Sequence, residues 1–131
     1  MKKEKSCGAI IIKDGKILIV KQKSGHYGFP KGHVEDKETE IQTAIREVKE
    51  ETGIDIEIIS DKSYSEEYNP KPDVIKKVVY FIGKPLTTKE KPQEGEIEKI
   101  LWVPIENVEQ ILTHKEIKKL WKKAKEANCL H

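Results

Sequence analysis

Two apolar runs, CGAIII and ILIV, stand on either side of Asp14-Gly15 near the start of the chain. Asp-Gly between such runs is the strongest short-range hairpin signal, because both residues tolerate the positive φ of a two-residue turn. Strands are therefore predicted near 6–13 and 16–23. SGHYGFPKG, with its glycines and proline, breaks the alternation and reads as a loop. From Asp36 the period lengthens: Ile41, Ala44, Ile45 and Val48 recur at i, i+3, i+4 and i+7, and Gly53 offers a left-handed stop. This predicts a helix over roughly 38–52. IDIEIISDKSYSEEY and VIKKVVYFIGK follow as strands around the turn-rich NPKPD, and KILWVPI is a short strand after the polar TTKEKPQEGE. Thr113 and Glu116 have capping-box spacing ahead of an apolar stripe of Ile117, Leu120, Trp121 and Ala124, so a terminal helix is predicted to pack on the sheet. Strands before, between and after two helices imply an α/β class, with a mixed sheet between helices.

With 131 residues and no repeat or long linker, a single domain over 1–131 is expected. Charged residues make up 37% and hydrophobic ones 36%, the balance of an ordinary water-soluble globule. A net charge of +2 is too small to argue for nucleic acid by itself and leaves anionic small molecules open. The basic start MKKEK is followed by an apolar run that KDGK cuts short, so neither an export signal nor a membrane span is read, and a cytoplasmic location is expected. Cys7 and Cys129 lack metal-site spacing and read as incidental thiols.

Acid is concentrated between Gly32 and Ile54, around Arg46, which is the only arginine in a lysine-rich chain. On a helix, Glu47, Glu50 and Glu51 fall within an arc of about 100°, beside the apolar stripe. Like charges so placed repel by a few tenths of a kcal/mol per pair. The triple reads either as a solvated face laced with Lys49 or as ligands for a hard divalent ion such as Mg²⁺ or Mn²⁺, which takes several carboxylate oxygens together. Arg46 is suited to bonding a neighbouring carboxylate bidentately, which a lysine does poorly. A surface ion pair to Glu50 at i+4 is its plainer alternative.

Spacing adds a second line. Gly32, five residues, Glu38, seven residues, then Arg46-Glu47-Val48-Lys49-Glu50-Glu51-Thr52-Gly53-Ile54 resembles the signature of the Nudix hydrolases at all of its fixed positions. That resemblance implies an αβα sandwich and Mg²⁺- or Mn²⁺-dependent hydrolysis of a nucleoside diphosphate linked to another moiety. It implies Glu47, Glu50 and Glu51 as metal ligands, the Gly32 carbonyl as a further ligand and Glu38 as a supporting carboxylate; Arg46 then has a reason, as a planar fork that holds the orientation of a neighbouring carboxylate.

HYGFPKGHVE, KKVVYFIG and EGEIEKILWV also resemble segments of the diadenosine tetraphosphate hydrolases, although EDKE stands where Pro-Gly is common and Phe29 where a second proline often stands. The likeness implies that Lys31 and Lys77 meet phosphates, that Tyr27 or Tyr80 stacks on a base, and that Glu96, with Glu94 as its rival, joins the metal cluster. Tyr80, in an apolar strand, reads equally as core. His33 is a candidate phosphate donor, and His26 and His114 are left without a role. The expected reaction is asymmetric cleavage of diadenosine tetraphosphate to ATP and AMP. Nucleoside triphosphate pyrophosphatase, RNA 5′-end pyrophosphohydrolase and a non-catalytic nucleotide-binding domain are the alternatives. The expected partner is a small nucleotide, with no membrane, with nucleic acid only if an RNA 5′-end is the substrate, and with the protein a monomer or homodimer.

Overall fold

The structure is a computed structural model and describes residues 1–130. Strands β1 (Lys2–Lys13) and β2 (Lys16–Gln22) form the expected hairpin, with Asp14 at φ 53° and Gly15 at φ 74°. Both lie in the left-handed region that a type I′ turn demands. β1 begins four residues earlier than the apolar pattern indicated, because its polar start is paired in parallel with β6 (Val74–Pro85) from Lys2↔Val74 to Ile11↔Gly83. β5 (Ile56–Lys71) runs antiparallel to β6, and β7 (Ile97–Pro104) antiparallel to β2. Two short strands arise in the glycine-rich loop: β3 (Tyr27–Gly28) on β2 and β4 (Lys31–His33) on β1. The order β3-β2-β1-β6-β5, with β4 beside β1 and β7 beside β2, is a mixed sheet.

Helix α1 (Glu40–Thr52) starts on a capping box in which the Thr39 hydroxyl accepts from Gln42 N–H and the Gln42 side chain accepts from Thr39 N–H. It ends at Gly53, φ 76°. Its buried face is Thr43, Ala44, Val48 and Thr52, packed toward Cys7, Val79 and Phe81 and toward Ala9, Ile11 and Val20. Ile45, predicted on that face, is instead 37% exposed, because the helix is rotated to put Thr43 and Ala44 against the sheet.

A 3₁₀ turn at Ile105–Asn107 and the one-turn helix α2 (Val108–Ile111) lead to α3 (Lys115–Ala127), which buries Ile117, Leu120, Trp121 and Ala124 as predicted. These residues pack with Ile10, Ile19, Phe29, Val78, Tyr80 and Ile82 on the opposite sheet face, completing the αβα sandwich. The predicted Thr113–Glu116 capping box does not form. His114 is the N-cap, without a side-chain cap bond, and the Thr113 hydroxyl accepts from Tyr27 N–H at 2.8 Å, while Thr113 N–H donates to the Tyr27 carbonyl at 3.1 Å. Among the described residues no helix is long and apolar enough to cross a membrane.

Candidate active site

The alternation of β6 sorts the candidates. Val78, Tyr80 and Ile82 face α3, and Val79 and Phe81 face α1. Tyr80 is 1% exposed, its ring edge-on to Phe29 at 5.4 Å between centroids. It is a core residue, and a base cannot stack on it without unpacking Phe29 and Trp121. Lys77, two residues from Val79, lies on the α1 side with Lys3 and Lys5. Lys76 occupies the position expected of it: burial and the neighbouring Lys31 charge hold Lys76 below the usual lysine range. A one-residue step along a strand reverses the face. The Lys-x-Val-x-Tyr pattern, read by strict alternation, selects Lys76-Val78-Tyr80, so the sequence held the signal.

Lys31 joins two neighbourhoods. Its backbone N–H donates to Glu51 Oε1 at 3.2 Å, which fixes a mostly buried carboxylate. Burial pushes Glu51 up to about 7, with the Glu47 and Glu96 charges adding to the effect. Of the carboxylates outside the helix, Glu96 is one whose charge acts on Glu51. On the other side, Lys31 lines a recess of about 80 Å³ with His26, Tyr27, Tyr68 and His114. The two imidazoles meet there, His114 Nε2 lying 3.1 Å from His26 Nδ1. Tyr27 is half-buried, with Lys21 Nζ 5.7 Å from its ring centroid. Neither histidine carried a motif, and only the docking of α3 brings them together.

Arg46 is the hub of the acidic face. Its Nε and Nη2 donate to Glu38 Oε2 and Oε1 at 2.6 and 3.0 Å, a fork-on-fork pair, and Nη2 also donates to the His33 carbonyl at 2.9 Å. Nη1 is 3.1 Å from both Glu47 Oε2 and Glu50 Oε2. The i+4 ion pair exists, but as one bond of five. Glu38 also accepts from Thr43 Oγ1 at 2.9 Å and from Glu35 N–H at 3.0 Å, and the Arg46 fork with these bonds draws its carboxyl down to about 2. Thr43 carries no signal in a one-dimensional motif. His33 contributes its carbonyl here, and its ring is exposed.

Among the described residues no three His, Cys, Asp or Glu side chains converge as a closed metal cage. The Arg46 guanidinium instead bridges Glu47 and Glu50. The donors nevertheless fit a hard divalent ion. A Cβ at Gly32 would lie 1.9 Å from the Glu47 carboxyl carbon, so only glycine brings this backbone against that carboxylate. Burial and the Glu50 charge raise Glu47 above the usual range, as burial and its neighbours do for Glu51. Carboxylates held at such electrostatic cost are stabilised by a cation.

Comparison with known proteins bears on the same residues. The NUDIX domain family model matches residues 2–124. Nudix hydrolase 2 of Arabidopsis thaliana is 35% identical over 108 residues, covering 76% of this chain and 38% of that protein. The asymmetrical bis(5′-nucleosyl)-tetraphosphatase of Sus scrofa is 40% identical over 63 residues, 39% of this chain and 43% of that protein. The chain thus spans about two fifths of the length of these relatives. A crystal structure of a C. elegans Ap4A hydrolase binary complex superimposes with a TM-score of 0.82 at 27% identity, covering 96% of this chain and 98% of that one. A Nudix hydrolase from Nitrosomonas europaea gives 0.81 at 22% identity over 98% and 73%. The family model runs through both sheet faces and the acidic helix between its ends, and on that span the chain belongs to the Nudix family.

Proposed function

We propose that this chain is a divalent-metal-dependent pyrophosphohydrolase that cleaves diadenosine tetraphosphate asymmetrically to ATP and AMP. The observation that carries it is the position of Lys31. Its backbone holds Glu51 in the carboxylate cluster, while its side chain stands beside Lys76 and the Tyr27 recess. A substrate with four linked phosphates and two bases needs both features side by side: cations beyond the metal for the bridge, and a ring for a base. The full-length likeness to the C. elegans hydrolase supports the same reading.

Glu47, Glu50, Glu51, Glu96 and the Gly32 carbonyl are the groups that would hold Mg²⁺ or Mn²⁺. The bound ion supplies charge neutralisation on phosphate oxygens and a water of lowered pKa. Arg46 and Glu38 fix the orientation of Glu47 and Glu50. Lys31 and Lys76 bind the phosphates remote from the point of attack, and Tyr27 offers its face to a base. Water adds to one phosphorus, the adjoining P–O–P bond breaks, and AMP leaves ATP behind.

The test is a panel of dinucleoside polyphosphates, nucleoside triphosphates, sugar nucleotides and triphosphorylated or capped RNA, with each metal. Diadenosine tetraphosphate should give the highest kcat/KM, with ATP and AMP, not two ADP, as products. Pyrophosphate released from nucleoside triphosphates as the dominant product would overturn the substrate assignment and favour the pyrophosphatase.

A further inference from the structure

The polar segment 86–96 passes the C-terminal end of α1 and is bonded to its last two residues, Glu51 and Thr52, and to Asp55 just beyond it. Leu86 N–H donates to the Asp55 carbonyl at 2.7 Å, and Asp55 N–H donates to Thr87 Oγ1 at 3.0 Å. Lys91 N–H donates to the Thr52 carbonyl at 2.7 Å, and Gln93 N–H to the Glu51 carbonyl at 3.0 Å. Glu90 accepts from the Trp102 indole and ties the middle of the strap to β7. The strap then turns back: the Gln93 carbonyl accepts from Glu96 N–H at 3.2 Å and from Ile97 N–H at 2.9 Å. Gln93 therefore stands between the backbone of Glu51 and that of Glu96, bonded to one through its N–H and to the other through its carbonyl. The turn closes on Gly95, at φ 82°, and a Cβ built there meets nothing within 4 Å. Only the backbone conformation demands glycine.

We infer that the Gln93–Glu96 turn is a positioning device, in which Gly95 sets where the Glu96 carboxylate stands relative to Glu51. The inference rests on the proposed membership of Glu51 and Glu96 in one metal-binding cluster. A side chain at Gly95 meets no steric block, so its effect follows its tolerance of the left-handed region: asparagine adopts it readily, alanine poorly and valine hardly at all.

The experiment titrates Mn²⁺ without substrate, by electron paramagnetic resonance, into wild type, Gly95→Asn, Gly95→Ala, Gly95→Val and Glu96→Gln, with thermal melts and kcat alongside. Gly95→Val should weaken Mn²⁺ binding by about tenfold, approaching Glu96→Gln. Gly95→Ala should be intermediate and Gly95→Asn close to wild type, with kcat following the same order. A Gly95→Val protein that melts lower but binds Mn²⁺ like wild type overturns the inference, since the turn is then purely structural. If Glu96→Gln itself binds Mn²⁺ normally, the inference falls with the metal assignment of Glu96. Glu47→Gln and Glu51→Gln in the same titration then decide separately whether the helix binds metal.

Discussion

Glu51 and Arg46 carry opposite stability consequences. Glu51 is pushed up to about 7 from about 4.5, so the folded, metal-free protein resists ionising it. The folded state holds the proton more tightly than the unfolded one, and stability is lost as pH rises from about 4.5 through 7. Glu51→Gln removes that loss. In EDTA its melting temperature should match wild type near pH 4 and exceed it at pH 8, with a gain on the order of 1–3 kcal/mol, while kcat collapses. Calorimetry at the two pH values checks this, and an equal melting temperature at pH 8 would contradict the buried-charge account. Arg46 lies the other way, because its fork to Glu38 and bond to the His33 carbonyl tie the 33–38 loop to α1. Arg46→Lys keeps the charge and loses the fork, so turnover should fall at least tenfold, about 1.4 kcal/mol of barrier, with a lower melting temperature. Glu38, drawn down to about 2 by the same fork, stabilises the fold above pH 4.5, and that contribution should fade as pH falls toward 2. An acid titration of Glu38→Gln, which lacks it, should be correspondingly flatter in that window.

Among the elements, β6 makes the sharpest test. Lys76 and Lys77 are adjacent, both lysines, and on opposite faces of the sheet, one beside Lys31 and the other beside Lys5. Lys76→Ala should raise KM for a polyphosphate substrate several-fold and make it more sensitive to salt, whereas Lys77→Ala should leave both within about twofold. A reversed result would mean that β6 is out of register by one residue. Helix α1 shows how a loop and a helix share a site. Thr39 and Gln42 cap its start, Gly53 ends it, and between those stops Glu47 and Glu51 meet the backbone of the Lys31–Gly32 strand while Glu50 stays exposed. Its buried face is made of small residues, Thr43, Ala44 and Thr52 with Val48, which lets the helix lie close to the sheet.

The whole molecule divides into an α3 side, where Trp121, Tyr80 and Phe29 pack together, and an α1 side behind the carboxylates. Trp121 is the largest fully buried side chain on the first side. Trp121→Ala should cost about 3–5 kcal/mol of stability, read from denaturant midpoints. It should also raise KM more than it lowers kcat, because Phe29 and the recess beside Lys31 rest on that ring while the carboxylates do not. A loss confined to kcat would show that the two faces are coupled more tightly than their separate clusters imply.

What the sequence determined was local. The hairpin at Asp14-Gly15, the stop at Gly53, the stripe of α3 and the spacing from Gly32 to Ile54 depend on neighbours within a few turns or strand residues, where backbone geometry fixes the outcome. Tertiary structure decided what lies across the sheet. Tyr80 became core because α3 covers that face, and Lys76 rather than Lys77 met Lys31 because pairing with β1 set which side of β6 faces the loop. Thr113 gave its hydroxyl to Tyr27 rather than to its own helix, a bond between residues 86 positions apart. Thr43 reached Glu38, and His114 reached His26, for the same reason: a side-chain partner is chosen by packing in three dimensions, and one chain read in order does not contain that distance.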